Sequence, residues 1–175
     1  MRDPLTLKNR LVINVTPITG TLTGGTPLIS YELQMNSGSG WVSKEGGTPE
    51  TYTLSTQFIV TSGVTPGETY QFRYRVLNRQ GWSDFSGPSP VLAAHVPAQI
   101  PPVVTTMNAA NVKIEWMVPD NGASSLLRYQ VLVMKSDGTF IEDKAFCDGS
   151  NFVILARAFC EIPMQILTAA PFSLT

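Results

Sequence analysis

The stretch that decides the fold is "GETYQFRYRVLNRQGWSDFS", residues 67–86. Aromatic and aliphatic side chains alternate in it with polar ones, so that Tyr70 and Phe72 lie on one face of a strand and Arg73 and Arg75 on the other. A two-residue period is typical of a half-buried β-strand. The alternation stops at Asn-Arg-Gln-Gly, which favours a turn. The pattern therefore predicts a β-structure with one face of this strand in a core.

Length and composition limit the class of protein. The 175 residues allow one large or two small domains. The hydrophobic share of 43% is enough for a core, and the net charge of -1 argues against a basic surface for nucleic acid or anionic lipid. The 14 glycines and 13 prolines favour many short strands. No apolar run reaches about 18 residues, so we expect no membrane span, and the first residues lack the apolar segment of a secretory signal.

The two halves of the sequence repeat one pattern. "TPLISYELQM" (26–35) and "SSLLRYQVLV" (124–133) each place a tyrosine in an apolar alternation, and Tyr31 and Tyr129 are 98 residues apart. A repeat of this length suits tandem β-sandwich modules. "HVPAQIPP" (95–102) contains three prolines and predicts a short stiff linker. The alternating strands that precede the two tyrosines contain Leu11, Ile13 and Val15 in the first half and Val112, Ile114 and Trp116 in the second.

Three further segments carry local signals. "KSDGTF" (135–140) predicts a hairpin turn at Asp137-Gly138. "STQFIVTSGVTPG" (55–67) predicts a strand that ends before Pro66-Gly67. "NFVILARAFC" (151–160) fits either a helical or a strand period, and its Phe, Val and Ile residues lead us to predict a strand.

The opening stretch resembles strand F of a fibronectin type III module. "GVTPGETY" (63–70) is similar to that family's tyrosine corner, which implies that Tyr70 hydrogen-bonds back to the chain and fixes the turn between strands E and F. The resemblance covers residues 4–96 in full. It covers 102–175 in part, since "NVKIEWMVPDNG" (111–122) is similar to strand B with its tryptophan and "LLRYQVLV" (126–133) to strand C.

The resemblance implies an all-β protein of two tandem immunoglobulin-like β-sandwiches, the second incomplete. It assigns residues 1–96 to a closed seven-stranded module, 97–102 to the proline-rich linker and 103–175 to a partial module. The first module departs from the family pattern, because Asn14 or Val15 stands where strand B carries a tryptophan. Its core must therefore be filled by other side chains.

"WSDFS" (82–86) is similar to the Trp-Ser-x-Trp-Ser box of cytokine receptors, with Phe85 in place of the second tryptophan. Arg73 and Arg75 are expected to lie exposed beside Trp82 as a surface ladder, each stacking worth about 0.5–1 kcal/mol. A receptor is one interpretation. A surface ladder that stiffens strands F and G needs no ligand, and we favour it.

Two features bear on the compartment. Cys147 and Cys160 are 13 residues apart in one half of the chain, and this even count predicts a disulfide across a hairpin, with two buried thiols as the alternative. Asn14-Val15-Thr16 is a glycosylation sequon. If Ile13 and Val15 face inward, Asn14 faces outward and can carry a glycan. Both features favour an extracellular or cell-surface location.

Chemistry-bearing patterns are scarce. His95 is the single histidine and has no acidic or nucleophilic neighbours in sequence. The sequence contains no Cys-x-x-Cys or His-Glu-x-x-His spacing, so neither a metal nor another cofactor is expected. The glycine-rich segments do not open helices, which argues against a phosphate site. We therefore expect no enzyme.

"LTAAPFSLT" (167–175) is similar to the approach to the E–F corner, which implies that strands F and G of the second module are absent from this sequence. The expected consequence is an open groove at Leu127, Tyr129 and Val131, where strand C has a free edge. Either following residues of a longer chain or a strand donated by a neighbouring subunit would fill it. A self-sufficient divergent module is the third alternative.

Two classes of function remain. In the first, the chain is a structural or adhesive module of an extracellular filament or matrix, whose partners are other copies of itself or neighbouring modules. In the second, it is the ligand-binding ectodomain of a receptor. An intracellular filament or ciliary scaffold is a further alternative. The low charged fraction of 14%, the stiff linker and the cysteine pair favour the structural array.

Overall fold

The structure is a computed structural model that describes residues 3–174. The chain divides into two compact units. The first unit comprises the residues up to Val96 together with Gly122–Ser124, and the second comprises Pro97–Asn121 and the residues from Ser125 onward. Strands in antiparallel sheets dominate both units, with two short α-helices, so the expected all-β class is confirmed.

Two antiparallel sheets form the described part of the first unit. One sheet consists of the first and fourth strands of the chain. In the other sheet the third, second, fifth and sixth strands lie side by side in that order, and the seventh strand also pairs with the fifth. The strands are β1 (Leu11–Asn14), β2 (Ser30–Asn36), β3 (Trp41–Glu45), β4 (Gln57–Val60), β5 (Thr69–Asn78), β6 (Gly81–Trp82) and β7 (Ser89–Leu92).

The core of the first unit lies between these two sheets. Tyr70 and Phe72 of β5 are buried, and Phe72 lies opposite Met35 in β2. Phe58 of β4 and Leu33 of β2 complete the centre of the core. The alternation predicted for β5 is confirmed, because these side chains point inward while Gln71 between them is exposed. No tryptophan is needed, since Val15 and the aromatic rings fill the space.

Within residues 3–174, the first unit contains seven strands, as predicted, but the sandwich is not closed beside β1. Among the described residues, those before β1 form only an isolated bridge between Leu7 and Arg10, with no strand beside β1. The buried Thr6 side chain takes over one position of such a strand. Its hydroxyl accepts a hydrogen bond from Val12 N (3.1 Å) and donates one to Val12 O (3.4 Å). A side chain thus satisfies backbone groups that a strand would otherwise satisfy.

The second unit contains a three-stranded sheet, a two-stranded hairpin and two short helices in its described part. The three-stranded sheet has the order twelfth, ninth, eighth strand of the chain, and the hairpin pairs the tenth with the eleventh. The elements are β8 (Val104–Asn108), β9 (Asn111–Glu115), β10 (Leu132–Met134), β11 (Phe140–Glu142), α1 (Phe152–Arg157), β12 (Phe159–Pro163) and α2 (Met164–Thr168).

Two strand predictions for this unit need correction. The segment 151–160, predicted as a strand, forms α1 and then enters β12. The Asn151 side chain caps α1 by accepting from Val153 N (2.9 Å), and Ala158 ends the helix in the left-handed conformation. The strand predicted over 124–133 is regular only at Leu132–Met134, although its side chains alternate in burial from Tyr129 onward. The Asp137-Gly138 hairpin turn is confirmed.

The second core is built around one aromatic pair. Trp116 and Tyr129 are buried, and their rings meet edge to face with centroids 5.0 Å apart. Ile114 of β9 and Ile162 of β12 pack beside them. Trp116 follows β9 as Val15 follows β1, so the two units fill the same strand position with side chains of different size.

Candidate interaction surfaces

The E–F corner of the first unit is held by Tyr70. Its hydroxyl accepts a hydrogen bond from Thr65 N at 2.7 Å, and the ring is 3% exposed. Gly67 in the same turn has a φ of 85°, which favours glycine, and its N–H donates to Ala93 O (2.9 Å). These bonds fix the start of β5 and thereby the side chains that β5 presents outward.

Two of those outward side chains, Arg73 and Arg75, stack with three aromatic rings from other segments, and the five groups are here called the arginine ladder: Trp41, Arg73, Phe85, Arg75 and Trp82. The guanidinium carbon of Arg73 lies 4.1 Å from the Trp41 ring centroid and 4.0 Å from that of Phe85. The guanidinium carbon of Arg75 lies 4.5 Å from the centroids of both Phe85 and Trp82. Cations and π-faces thus alternate along the surface of the first unit.

The expected position of the arginines requires a correction. Only Arg75 stacks on Trp82, because Phe85 inserts between the two guanidinium groups, and both arginines are half-buried rather than exposed. Arg75 Nε also contacts Glu32 Oε2 at 2.6 Å, and that carboxylate is 3% exposed. Two Arg73 nitrogens donate to Gln34 Oε1 at 3.0 and 2.8 Å.

The two serines of "WSDFS" fasten this segment to β5. Ser83 Oγ accepts from Val76 N and Ser86 Oγ from Tyr74 N, both at 3.1 Å. The segment between β6 and β7 is not a regular strand, and its two serine hydroxyls therefore continue the pairing with β5 there. The partners of the ladder all belong to the first unit, which supports a stiffening role.

The disulfide prediction is confirmed. Cys147 and Cys160 are bonded, with their Cα atoms 5.3 Å apart, and both are buried. The bond spans α1, so it does not cross a hairpin as predicted. It ties the segment before α1 to β12, and closing a loop of this size contributes about 3 kcal/mol.

Asn14 lies at the end of β1, and its side chain is exposed. Its Nδ2 donates to Asp3 Oδ2 (2.5 Å), and its Oδ1 accepts from Gln57 Nε2 (3.0 Å). A glycan on Nδ2 would replace the contact with Asp3. Glycosylation of Asn14 stays a prediction.

The groove predicted at Leu127, Tyr129 and Val131 is not formed as predicted. Leu127 is 87% exposed, whereas Tyr129 is 6% exposed and Val131 packs against the same core cluster. The reason is local. The chain is not yet a regular strand at Leu127, while Tyr129 N donates to Gly149 O (3.1 Å), which draws Tyr129 under the segment that leads to α1.

An open apolar groove lies further along the same strand. It has a volume of about 400 Å³, and its apolar lining includes Val112 and Ile114 of β9, Val133 of β10, Leu167 of α2 and Leu174. The sequence did not indicate this groove, because Leu167 and Leu174 come from a segment for which no packing was predicted. The groove separates the three-stranded sheet from β10.

The strand beside this groove, β10, has one free edge. Within residues 3–174, β10 pairs only with β11, whereas β2 of the first unit pairs with both β3 and β5. The outward faces of β10 and β11 expose Leu132 (49%), Met134 (53%) and Phe140 (62%). A large exposed apolar patch at a strand edge is typical of an interaction surface.

The turn that joins β10 to β11 is ordered by one carboxylate. The Thr139 hydroxyl and Thr139 N donate to Asp137 Oδ1 at 2.7 and 2.9 Å, and Lys135 Nζ lies 2.9 Å from Oδ2. These contacts, led by the Thr139 hydroxyl, lower the pKa of Asp137 well below its usual value. The hairpin therefore presents β10 in a fixed position.

Residues 3–174 contain neither a cluster of metal-ligating side chains nor a helix able to cross a membrane. No group of three or more His, Cys, Asp or Glu side chains lies close enough together to hold a metal ion. No helix there has the length and hydropathy needed to cross a membrane.

Sequence comparison finds relatives over most of the chain, although no protein-family model matches it. It is 26% identical over 159 residues to fibronectin type-III domain-containing protein 3A of Pongo abelii, covering 86% of this chain. It is 29% identical over 110 residues, 62% of this chain, to the Homo sapiens protein of the same name. The chain spans only 13% and 9% of the length of these two relatives.

Modules of titin and of CNTN1 are among the solved structures with some likeness to this chain. Titin module A71 from human cardiac muscle is 23% identical, with a TM-score of 0.40 over 51% of this chain and 84% of its own. The chicken CNTN1 FN1–FN3 domains are 16% identical, with a TM-score of 0.38 over 62% of this chain and 36% of theirs. The sequence relatives, the two-sheet first unit and its Tyr70 corner support the resemblance of this chain to fibronectin type III modules.

Proposed function

We propose that this chain is a non-catalytic structural or adhesive module of an extracellular or cell-surface filament or matrix, and that its second unit makes the protein–protein contact. The observation that carries the proposal is the free edge of β10 beside an apolar groove. Such an edge offers backbone N–H and C=O groups together with apolar side chains, which are what an added β-strand needs.

The comparison with the first unit supports this role. There β5 lies beside β2, and its Tyr70 and Phe72 rings fill the core. No strand occupies the corresponding side of β10 in the described residues, although the alternation of inward and outward side chains is present. Within residues 3–174, the second unit therefore presents the acceptor surface of a strand with no strand paired to it.

Two features support the location. The buried Cys147–Cys160 bond suits an oxidising compartment, where disulfides persist. The exposed Asn14 sequon is accessible to glycosylation. Expression of the chain behind a secretory signal, followed by peptide mapping, tests both. We expect an oxidised cysteine pair and a glycan at Asn14.

Cross-linking of the purified chain with a lysine- and carboxylate-reactive reagent tests the contact itself. Mixing isotopically labelled and unlabelled copies separates links between copies from links within one copy. We expect the intermolecular links to fall in the second unit, at residues such as Lys135 and Glu142 beside the hairpin. Intermolecular links confined to the first unit, or none at high protein concentration, would contradict the proposal.

A further inference from the structure

The side chains around the β10 edge limit which kind of strand can pair with it, and this inference rests on the proposed function. In the first unit the outward residues of β2 are polar, and they hold the arginines of β5. Glu32 contacts Arg75 at 2.6 Å, and Gln34 accepts from Arg73. The outward arginines of β5 thus find hydrogen-bond acceptors on the neighbouring strand β2.

The second unit offers no such match. Counting 98 residues on from Glu32 and Gln34, as from Tyr31 to Tyr129, places Gln130 and Leu132 at the same positions. A neutral amide and an exposed leucine replace the carboxylate and its neighbouring amide. A strand of the β5 type would lose the ion pair of Arg75 and would place Arg73 against Leu132. A strand that fits the β10 edge is therefore apolar on its outward face as well as on its inward face.

The chain contains a strand of this composition. β10 itself, within "VLVM" (131–134), is apolar on both faces, with Val133 inward and Leu132 and Met134 outward. The edge strand next to β2 in the first unit is protected against such pairing. Edge strand β3 carries Lys44 and Glu45 and has a register shift opposite Leu33, and such features discourage edge pairing.

The backbone of β10 is oriented for pairing at the free edge. Lys135 N donates to Thr139 O (2.8 Å) in the hairpin, so the alternate Val133 N–H also points toward β11. The amides of Leu132 and Met134 then point to the free side. Beyond them Ser136 N donates to Phe172 O (2.9 Å), which closes the edge at the hairpin end. The open length is therefore short and centred on Val133.

From these observations we infer that β10 of a second copy pairs with β10, antiparallel and about a two-fold axis at Val133. Leu132 of each copy lies opposite Met134 of the other, and the two hairpins form one four-stranded sheet. The outward faces of Leu132, Met134 and Phe140 from both copies join into a single apolar stripe. The contact closes on itself, so it links two chains laterally and does not propagate.

Complementary charge variants test this pairing. One variant carries Leu132→Lys and Met134→Lys, the other Leu132→Glu and Met134→Glu. Both residues are about half exposed, so each variant is expected to fold. Sedimentation velocity on the 175-residue chain follows association. The interface is small, and we expect a wild-type dimer with a dissociation constant in the range of about 1 μM to 1 mM.

We expect each charged variant to weaken dimerisation by at least about tenfold, because like charges face each other across the axis. An equimolar mixture of the two should restore a dimer that contains one copy of each. The matched control is Val42→Lys with Ile59→Lys, two strand residues of the first unit that are each 57% exposed. This control should dimerise as the wild type does.

The remaining outcomes separate the two proposals. A charged variant that dimerises like the wild type overturns pairing at β10 while leaving a protein-contact role in place. A wild-type chain that stays monomeric at about 1 mM overturns this inference, and the cross-linking experiment then decides whether the proposed function fails with it. Weakened dimerisation of the control variant, or an equimolar mixture of opposite charges that does not restore the dimer, would place the contact outside β10.

Discussion

Tyr31 and Tyr129 occupy the same position in the two units but differ in their hydrogen bonding. The Tyr31 hydroxyl accepts a hydrogen bond from Ile18 N at 2.9 Å. Tyr129 is buried to a similar degree, yet its hydroxyl has no hydrogen-bond partner within the described residues. The same residue type at the same place in a repeat is therefore satisfied in one copy and orphaned in the other.

The backbone donor explains the difference. Aligning Ile13 of β1 with Ile114 of β9 places Pro119 where the first unit has Ile18. Proline has no N–H, so the donor that Tyr31 uses does not exist in the second unit. The comparison teaches that an internal repeat preserves the position of a core side chain more readily than its polar contacts, because those contacts depend on loop residues.

The largest expected effect comes from comparing a core residue of β5 in the first unit with a groove residue of β10 in the second. Phe72→Ala removes a ring that is 3% exposed and enclosed by the first core, so we expect a loss of about 3–5 kcal/mol in that unit's free energy of unfolding. Val133→Ala, on the open groove of the second unit, should cost less than about 1.5 kcal/mol. Urea unfolding followed by tryptophan fluorescence compares them, since Trp116 belongs to the second unit and Trp41 and Trp82 to the first. Equal losses would contradict the open groove.

The second prediction concerns the Cys147–Cys160 disulfide of the second unit. Cys147→Ala with Cys160→Ala should destabilise the second unit by about 3 kcal/mol, since the bond closes a loop with a sequence separation of 13 residues. The first unit should unfold at an unchanged urea concentration. Reduction of the wild-type chain serves as the control and should reproduce the effect. A shift in both units alike would show that their stabilities are coupled.

The smallest effect tests the tyrosine comparison directly. Tyr31→Phe should cost about 1 kcal/mol, because Ile18 N loses its acceptor. Tyr129→Phe removes a hydroxyl that has no partner, so its cost should be near zero. Both variants keep the ring, which makes them matched. A larger loss for Tyr129→Phe than for Tyr31→Phe would show that the Tyr129 hydroxyl has a partner after all.

The sequence predicted the elements whose signals are local and strong. The alternation around Phe72 predicted β5 and its register, and Asp137-Gly138 predicted the hairpin of β10 and β11. Cys147 and Cys160 were paired correctly. The α1 segment was predicted wrongly, because its six apolar and basic residues fit two periods and the Asn151 side chain caps the helix.

The interaction surfaces were predicted less well, because they depend on which elements meet. Phe85 separates the two arginines of the ladder, and Trp41 joins it from a strand 32 residues before Arg73 in sequence. The groove was expected at Leu127 and lies instead at Val133, beside Leu174. Side chains brought together from distant segments leave no short-range pattern that a single sequence displays.

The sequence by itself determined the class of fold and the repeat, since hydrophobic alternation and turn residues act over a few residues, and its resemblance to fibronectin type III modules implied the tyrosine corner. The tertiary structure alone decided which edges are closed. Thr6 satisfies the backbone beside β1, while β10 keeps a free edge among the described residues, and neither outcome follows from local propensity. The physical reason is that a strand edge is closed by whichever group reaches its N–H and C=O atoms, and that depends on long-range packing.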